Sequence, residues 1–373
     1  MAHPKKILIL YASAGHGHEK AARAVEAACR AQPDLVVECV DTLKKTSFGF
    51  GARYQALYLF LIRSMPWLWG LFYYLSDNAL VYALIRPIRR WVNHAFTGGV
   101  ERFVAEGSWD TVLSTHFLGT EVVGYLKKKG RTNARLATVI TDYLPHSFWI
   151  VEQNDVYCVA SDETAKELER RGVAPEKIRV TGIPIETKFS SPLSRTDARI
   201  KLALAPDLFT VLLTSGGAGV GSLESLVDSL AILEPPTQLL VVCGTNDALR
   251  RRLEAKHRER SVLQFFGFVD NIHELMAASD ILVGKGGGLT VSESLVMSRP
   301  MILIGALPGQ ETRNVRVLTK KKAASSAHSV LRVLILIQMY RRDRTFYEET
   351  IRAIDSIRRP RATDDVLRAA LCL

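Results

Sequence analysis

Cysteine is scarce in this 373-residue chain, and no two of the five (Cys29, Cys39, Cys158, Cys243, Cys372) stand in Cys-x-x-Cys spacing. That excludes a disulfide framework and a structural zinc, and it fits a reducing cytoplasm. Long apolar runs are missing too. Met1-Ala-His-Pro-Lys-Lys leads into the short run Ile7 to Tyr11, too short for a signal-peptide core or a membrane span, so the chain is expected to start folding at its first strand. No P-loop Lys-Ser/Thr follows any glycine cluster, and the loop after the first strand lacks the G-x-G-x-x-G fingerprint. These absences argue against nucleoside triphosphate hydrolysis and against a dinucleotide enzyme. No Asp-x-Asp metal motif occurs either. Acid is outnumbered, 38 residues against 49 basic ones, and the net charge of +11 attracts polyanions without saying whether they are nucleic acid, anionic lipid or nucleotide. With 47% hydrophobic residues and no repeat among its glycines and prolines, the chain is neither disordered nor fibrous.

What is present is an alternation of strand-length apolar blocks with amphipathic helical segments. Blocks at 6–11, 35–41, 111–114, 136–141, 156–160 and 178–181 form one series, and blocks at 210–214, 238–242, 262–266, 281–283 and 301–304 form a second. Continuous apolar strands of this kind are buried on both faces of a parallel sheet, so the fold class is α/β, with two doubly wound Rossmann-like domains. The boundary falls where Pro184, Ser190, Ser191 and Pro192 interrupt every periodicity, which divides the chain into 1–188, 189–345 and a basic helical tail, 346–373, suited to packing back across to the first domain.

One segment breaks the alternation. Residues 48–91 hold twelve of the thirty aromatics together with Arg53, Arg63, Arg86, Arg89 and Arg90, and Asp77 is their only acid. Arg63, Ser64 and Pro66 stop it from crossing a bilayer as one helix. Composition leaves two readings open. The segment is either a helical insertion burying its aromatics in the core or an interfacial element with Trp67, Trp69, Arg89 and Arg90 at a membrane of anionic lipid.

Several constellations suit chemistry at strand ends. Ser13-Ala-Gly-His-Gly-His18 follows the first strand; Gly15 and Gly17 allow a sharp turn exposing a helix N-terminus, and His18 is expected to take a chemical role there rather than merely sit at the surface. Ser114-Thr-His116 and Thr141-Asp142-Tyr end two other strands, so His116 and Asp142 are expected at the same crevice, where they either bind and deprotonate a hydroxyl or cap the following helices. In the second half, Gly216 and Gly217 open a loosely phosphate-binding loop. The strongest signal is a strand running into Lys285-Gly286-Gly287-Gly288, where a helix N-terminus would meet a phosphate, with Thr290 and Glu293 in the next turn. Glu293 suits a ribose diol, and Gln310, Glu311 and Asn314 suit sugar hydroxyls.

In their order along the chain these residues resemble the monogalactosyldiacylglycerol synthase and processive diacylglycerol glucosyltransferase family, relatives of the peptidoglycan enzyme that adds N-acetylglucosamine to a lipid carrier. The match runs from Ile7 to about Arg316 and includes His146, Trp149, Val180-Thr-Gly-Ile-Pro-Ile185, Phe266-Gly-Phe268 and Pro308-Gly-Gln-Glu311. Two departures are Gly286, where the family usually has proline, and a stretch after Lys322 that looks shortened. The resemblance implies a GT-B glycosyltransferase, two domains facing across a cleft, that moves a hexose from UDP-hexose to diacylglycerol with inversion, at the cytoplasmic face of the membrane. It also implies no cofactor, no metal and no nucleic acid partner. The UDP-sugar would fall to Gly216, Gly217, Phe268, Gly286, Gly287, Gly288, Thr290, Glu293, Gln310, Glu311 and Asn314, and the acceptor side to Gly15 and Gly17. His18 is the first choice of base and Asp142 the second, with His116 positioning substrate. Transfer to another lipid acceptor, a sugar-nucleotide epimerase of the same architecture and a non-catalytic lipid-binding protein remain as alternatives, and glucose is not told from galactose.

Overall fold

The computed structural model describes residues 4–214, 223–234 and 236–372. They fall into two compact units, the first made of 1–186, 307–313 and 361–373 and the second of 187–306 and 314–360. The segment 307–313 thus joins the first unit, whereas the sequence reading ran the second domain unbroken from 189 to 345.

In the first unit, strands β1 (Lys5–Tyr11), β2 (Leu35–Asp41), β3 (Thr111–Ser114), β4 (Arg135–Val139), β5 (Val156–Val159) and β6 (Ile178–Val180) form one sheet in the order β2-β1-β3-β4-β5-β6. All pairs are parallel. The period of two explains why β1 is apolar throughout. Ile7, Ile9 and Tyr11 pack on one face with Ala22, Val25 and Cys29 of helix α1 (His16–Arg30) and with Val366 and Leu367 near the C-terminus. Leu8 and Leu10 pack on the other with Val100, Val104, Val122 and Leu126.

The second unit's sheet comprises β7 (Thr210–Thr214), β8 (Gln238–Val242), β9 (Leu263–Phe266), β10 (Ile281–Gly284), β11 (Met301–Ile304) and β12 (Ala324–Ala327), in the order β12-β11-β10-β7-β8-β9. Strand order reverses between β1 and β3 in one sheet and between β7 and β10 in the other. Ligands of doubly wound folds bind beyond the strand ends at such reversals.

Between β2 and β3 the chain leaves the sheet for three helices, α2 (Phe50–Ser64), α3 (Pro66–Asp77) and α4 (Ala79–Phe96). Pro66 at the first position of α3 and Asn78, whose side chain accepts from the amides of Leu80 and Val81, account for the breaks between them. No helix among the described residues is long and apolar enough to cross a membrane.

Candidate active site

The loop after β1 ends at Gly15, which caps α1 in ordinary extended backbone, and a Cβ placed there would meet nothing within 4 Å. The bare glycine keeps open space at the helix N-terminus. Two residues into the helix, His18 Nδ1 lies 2.7 Å from the Thr115 carbonyl and 3.1 Å from Thr141 Oγ1. A carbonyl only accepts, so Nδ1 carries the proton and Nε2 keeps its lone pair. Burial pushes the imidazole down to about 4, against the partial support of that carbonyl, and the ring is neutral at pH 7.

His116 stands edge-on to His18 at 4.7 Å between ring centroids. Its Nδ1 accepts from the amide of Leu118, so it caps the helix Phe117–Lys128, and burial with His18 beside it holds its proton affinity well below the usual range. Capping, one of the two roles open to His116 in sequence, is therefore the one its Nδ1 fulfils.

His18, His116, Asp142, His146 and Trp149 line a cavity of ≈ 400 Å³ within the first unit. Its remaining wall is largely aromatic and aliphatic and comes from α2 and α3: Tyr54, Leu57, Tyr58, Leu61, Trp69, Phe72 and Tyr73. Burial raises the phenols of Tyr54, Tyr58 and Tyr73, that of Tyr54 to about 12, so all stay neutral donors. Gln310 closes the wall. It reaches the cavity because α3 and the 307–313 segment approach closely: a Cβ on Gly70 would lie 2.5 Å from Pro308 Cβ, and Gly309, at φ +105, lies under the Tyr73 ring. Gln310 Nε2 is 3.4 Å from Tyr58 Oη, and its Oε1 is buried without a partner among the described residues. Glu311 Oε2 accepts from the amide of Leu307 and so shapes the turn before the helix.

The same contact is held by charge. Asp77 at the end of α3 receives Arg171 at 2.6 Å and Arg313 at 2.5 Å, and these partners, with His146 nearby, hold its carboxyl below the ordinary range despite burial. This acid is neutralised inside the unit.

In the second unit, β10 runs into the glycine loop at the strand-order reversal. Gly284 is required by packing, since a Cβ there would lie 2.5 Å from Thr214 Oγ1, but Gly287 is not. Gly287 caps the helix Gly288–Val296 at φ -68, ψ 136, and a Cβ would meet nothing within 4 Å. Glu293 is buried within that helix, and Thr290 is half-buried in its first turn. Asn314 is fully buried and donates from Nδ2 to the Gly286 carbonyl at 2.9 Å, so that amide group braces the loop. Phe268 is exposed after β9. Gly216 and Gly217 lie outside the described residues.

Of the two readings left open for 48–91, Trp69 and Arg89 follow the internal one. Trp69 turns into the cavity wall rather than to the surface, packing at 5.1 Å on Tyr58. Arg89 is also internal, paired with Glu121 at 3.0 Å and lying over the Phe148 ring at 4.3 Å. Sequence reasoning missed Thr115 and Thr141, which orient His18 and sit inside the two quoted motifs. It also missed the tyrosines of α2 and α3, for which aromatic density was the only signal.

Residues 18–185 match the family model of monogalactosyldiacylglycerol (MGDG) synthase, and residues 210–329 match that of the glycosyltransferase family 28 C-terminal domain. The chain is thus similar to the monogalactosyldiacylglycerol synthase family over residues 18–185. Among its relatives are processive diacylglycerol beta-glucosyltransferases of Staphylococcus haemolyticus, 33% identical over 59% of this chain and 56% of that protein, and of Staphylococcus epidermidis, 30% identical over 66% and 62%. The chain spans less than two thirds of the length of these relatives. Among solved structures, MurG of Acinetobacter baumannii superposes with a TM-score of 0.65 at 17% identity, over 99% of this chain and 100% of that one. A UDP-GlcNAc 2-epimerase from Neisseria meningitidis, bound to UDP-GlcNAc, gives 0.62 at 11% identity over 99% and 100%. These likenesses establish the GT-B class of fold.

Proposed function

We propose that the protein is an inverting glycosyltransferase that moves a hexose from a UDP-hexose to the free hydroxyl of diacylglycerol, giving a β-glycosyldiacylglycerol. The observation that carries this reading is His18, whose Nδ1 is tied to the Thr115 carbonyl and whose base nitrogen is thereby fixed as Nε2, in a largely apolar cavity. Such a cavity suits an acceptor with hydrocarbon chains and one nucleophilic hydroxyl. As that oxygen attacks the anomeric carbon, its proton passes to Nε2, the bond to the diphosphate breaks, and Asp142 in the same cavity offsets the imidazolium charge that forms. Charge gathers on the departing UDP, for which the Gly286–Gly288 loop and the N-terminus of its helix offer backbone N–H groups, with Glu293 at the ribose. Gln310 takes a sugar hydroxyl. The names of the staphylococcal relatives support the acceptor class.

The acceptor resides in a membrane, and α4 supports peripheral attachment there, at the cytoplasmic face. Leu80, Leu84, Ile88 and Trp91 recur along one side of α4 and are exposed by 78%, 76%, 65% and 73%. Phe48, Phe60, Trp67 and Leu71 add to the apolar surface, and Arg53 and Arg63 stand exposed on α2. An exposed apolar stripe of this extent beside cationic residues suits an anionic bilayer surface.

The base assignment is tested with His18→Ala and Asp142→Asn in single-turnover assays. His18→Ala is expected to slow transfer by about a hundredfold or more with UDP affinity near wild type. Transfer that survives in His18→Ala and vanishes in Asp142→Asn would give the base role to Asp142.

A further inference from the structure

Gln310 reaches the cavity on a turn that the rest of the first unit holds from outside. The turn closes on itself, the amide of Leu307 donating to Glu311 Oε2 at 2.8 Å and that of Gly309 to Thr312 Oγ1 at 3.1 Å. Arg313 ties it down. Its Nη2 donates to Asp77 Oδ2 at 2.5 Å and its Nη1 to the Pro145 carbonyl at 3.2 Å, and the guanidinium lies over the Tyr73 ring at 5.0 Å. Asp77 has further partners. Its carboxylate also accepts from the amide and the hydroxyl of Ser147, at 2.7 and 2.8 Å, and from Arg171 at 2.6 Å. Asp77 ends α3, which carries Trp69, Phe72 and Tyr73, and Ser147 opens the short turn Ser147–Trp149, which His146 caps. All of these except Ser147 and Asp77 line the cavity, as Gln310 does. Three stretches of one cavity wall are therefore pinned at a single buried carboxylate.

We propose that Arg313 is a positioning residue for the transfer: through its ion pair with Asp77 it holds Gln310 in the wall of the acceptor cavity. The inference rests on the acceptor reading above. Gln310 has little hold of its own, since its bond to Tyr58 Oη is long at 3.4 Å. A group displaced by about 1 Å from its working place can cost about a hundredfold in rate, so a turn released from α3 loses transfer while keeping every residue that lines the cavity. Arg313 stands apart from the groups that touch the acceptor. Its guanidinium is taken up by Asp77, Pro145 and Tyr73, and Arg313 is not one of the residues lining the cavity. Replacing it leaves Asp77 paired with Arg171 and Ser147, so no buried charge is stranded and the fold is expected to survive.

The test is a double-mutant cycle on kcat/KM for dioctanoylglycerol in mixed micelles, with wild type, Gln310→Ala, Arg313→Gln and the double variant, and with UDP affinity and melting measured alongside. Each single variant is expected to lose about ten- to hundredfold. The double variant is expected to lose no more than the worse single one, because Arg313 acts through Gln310, and UDP affinity is expected to stay near wild type throughout. Losses that multiply in the double variant, or a Gln310→Ala protein as active as wild type, overturn the assignment. So does a UDP dissociation constant that rises in step with the loss in Arg313→Gln, which would move the effect to the glycine loop that the neighbouring Asn314 braces. Arg313→Lys keeps a cation within reach of Asp77 and is expected to recover most of the lost transfer; a lysine variant no better than the glutamine one overturns the role of the ion pair. Absence of product from every glycerolipid in the wild type would instead overturn the acceptor reading itself, and the inference with it.

Discussion

Replacing Gly287 by alanine separates what the fold asks of the glycine loop from what a ligand would ask of it. The backbone at Gly287, φ -68 and ψ 136, is open to any residue, and an added Cβ has no neighbour within 4 Å. Fewer unfolded conformations favour the alanine by about 0.4–1 kcal/mol. Alanine is the poorer helix cap by a similar amount, so the two effects nearly cancel. The melting temperature of Gly287→Ala is therefore expected within a few degrees of wild type. Binding is another matter if the diphosphate lies against these amides. Pushing a charged acceptor off one or two N–H donors costs about 1.5–3 kcal/mol, which is a tenfold to hundredfold rise in the UDP dissociation constant. Calorimetric titration of UDP into both proteins, with melting followed in parallel, reads the two quantities separately. Unchanged UDP affinity in a folded variant would refute the placement of the diphosphate. Gly284→Ala is the contrasting case, since its Cβ would collide with Thr214 and the fold itself should suffer.

Acid should weaken the first unit before it touches the carboxylates. Burial holds His18 and His146 at about 4 against 6.5 unfolded, so the unfolded chain takes up protons that the native one refuses, and stability is lost as pH falls from 6.5 toward 4. Each group contributes up to about 1.4 kcal/mol per pH unit, and urea denaturation at pH 7 and pH 5 should show the loss; equal or greater stability at pH 5 would contradict the burial argument. Vesicle flotation should be strongest with anionic lipid and fall with salt, and a folded Trp67→Ala, Leu84→Gln, Ile88→Gln, Trp91→Ala variant should float far less. Equal flotation of both proteins would remove α4 from the membrane contact.

Strands that are apolar on both faces announce themselves in sequence, and eleven apolar blocks led to β1–β11. The twelfth strand escaped because Ala324-Ser-Ser-Ala327 pairs only with β11 at the sheet's edge, where partly exposed serines suffice. Segment 48–91 shows a different limit. Composition offered core or interface, but a helix has two sides, and here the aromatics divide between them: Tyr54, Tyr58, Trp69 and Tyr73 line the cavity while Trp67 and Trp91 face outward. Only the three-dimensional direction of each side chain tells Trp67 from Trp69, or exposed Arg63 from internal Arg89. In the same way the motifs gave His18 its location, but its tautomer depends on the carbonyl of Thr115, ninety-seven residues away in sequence.

The central claim is transfer with inversion onto a glycerolipid. Purified protein, dioctanoylglycerol in micelles and either UDP-glucose or UDP-galactose would be incubated together, and the lipid fraction examined by proton NMR at the anomeric position. A new glycolipid whose anomeric proton shows the large coupling of a β-glycoside is the expected product with at least one donor. An α-glycoside, or consumption of neither donor while a parallel incubation with UDP-GlcNAc shows epimerisation, would contradict the account.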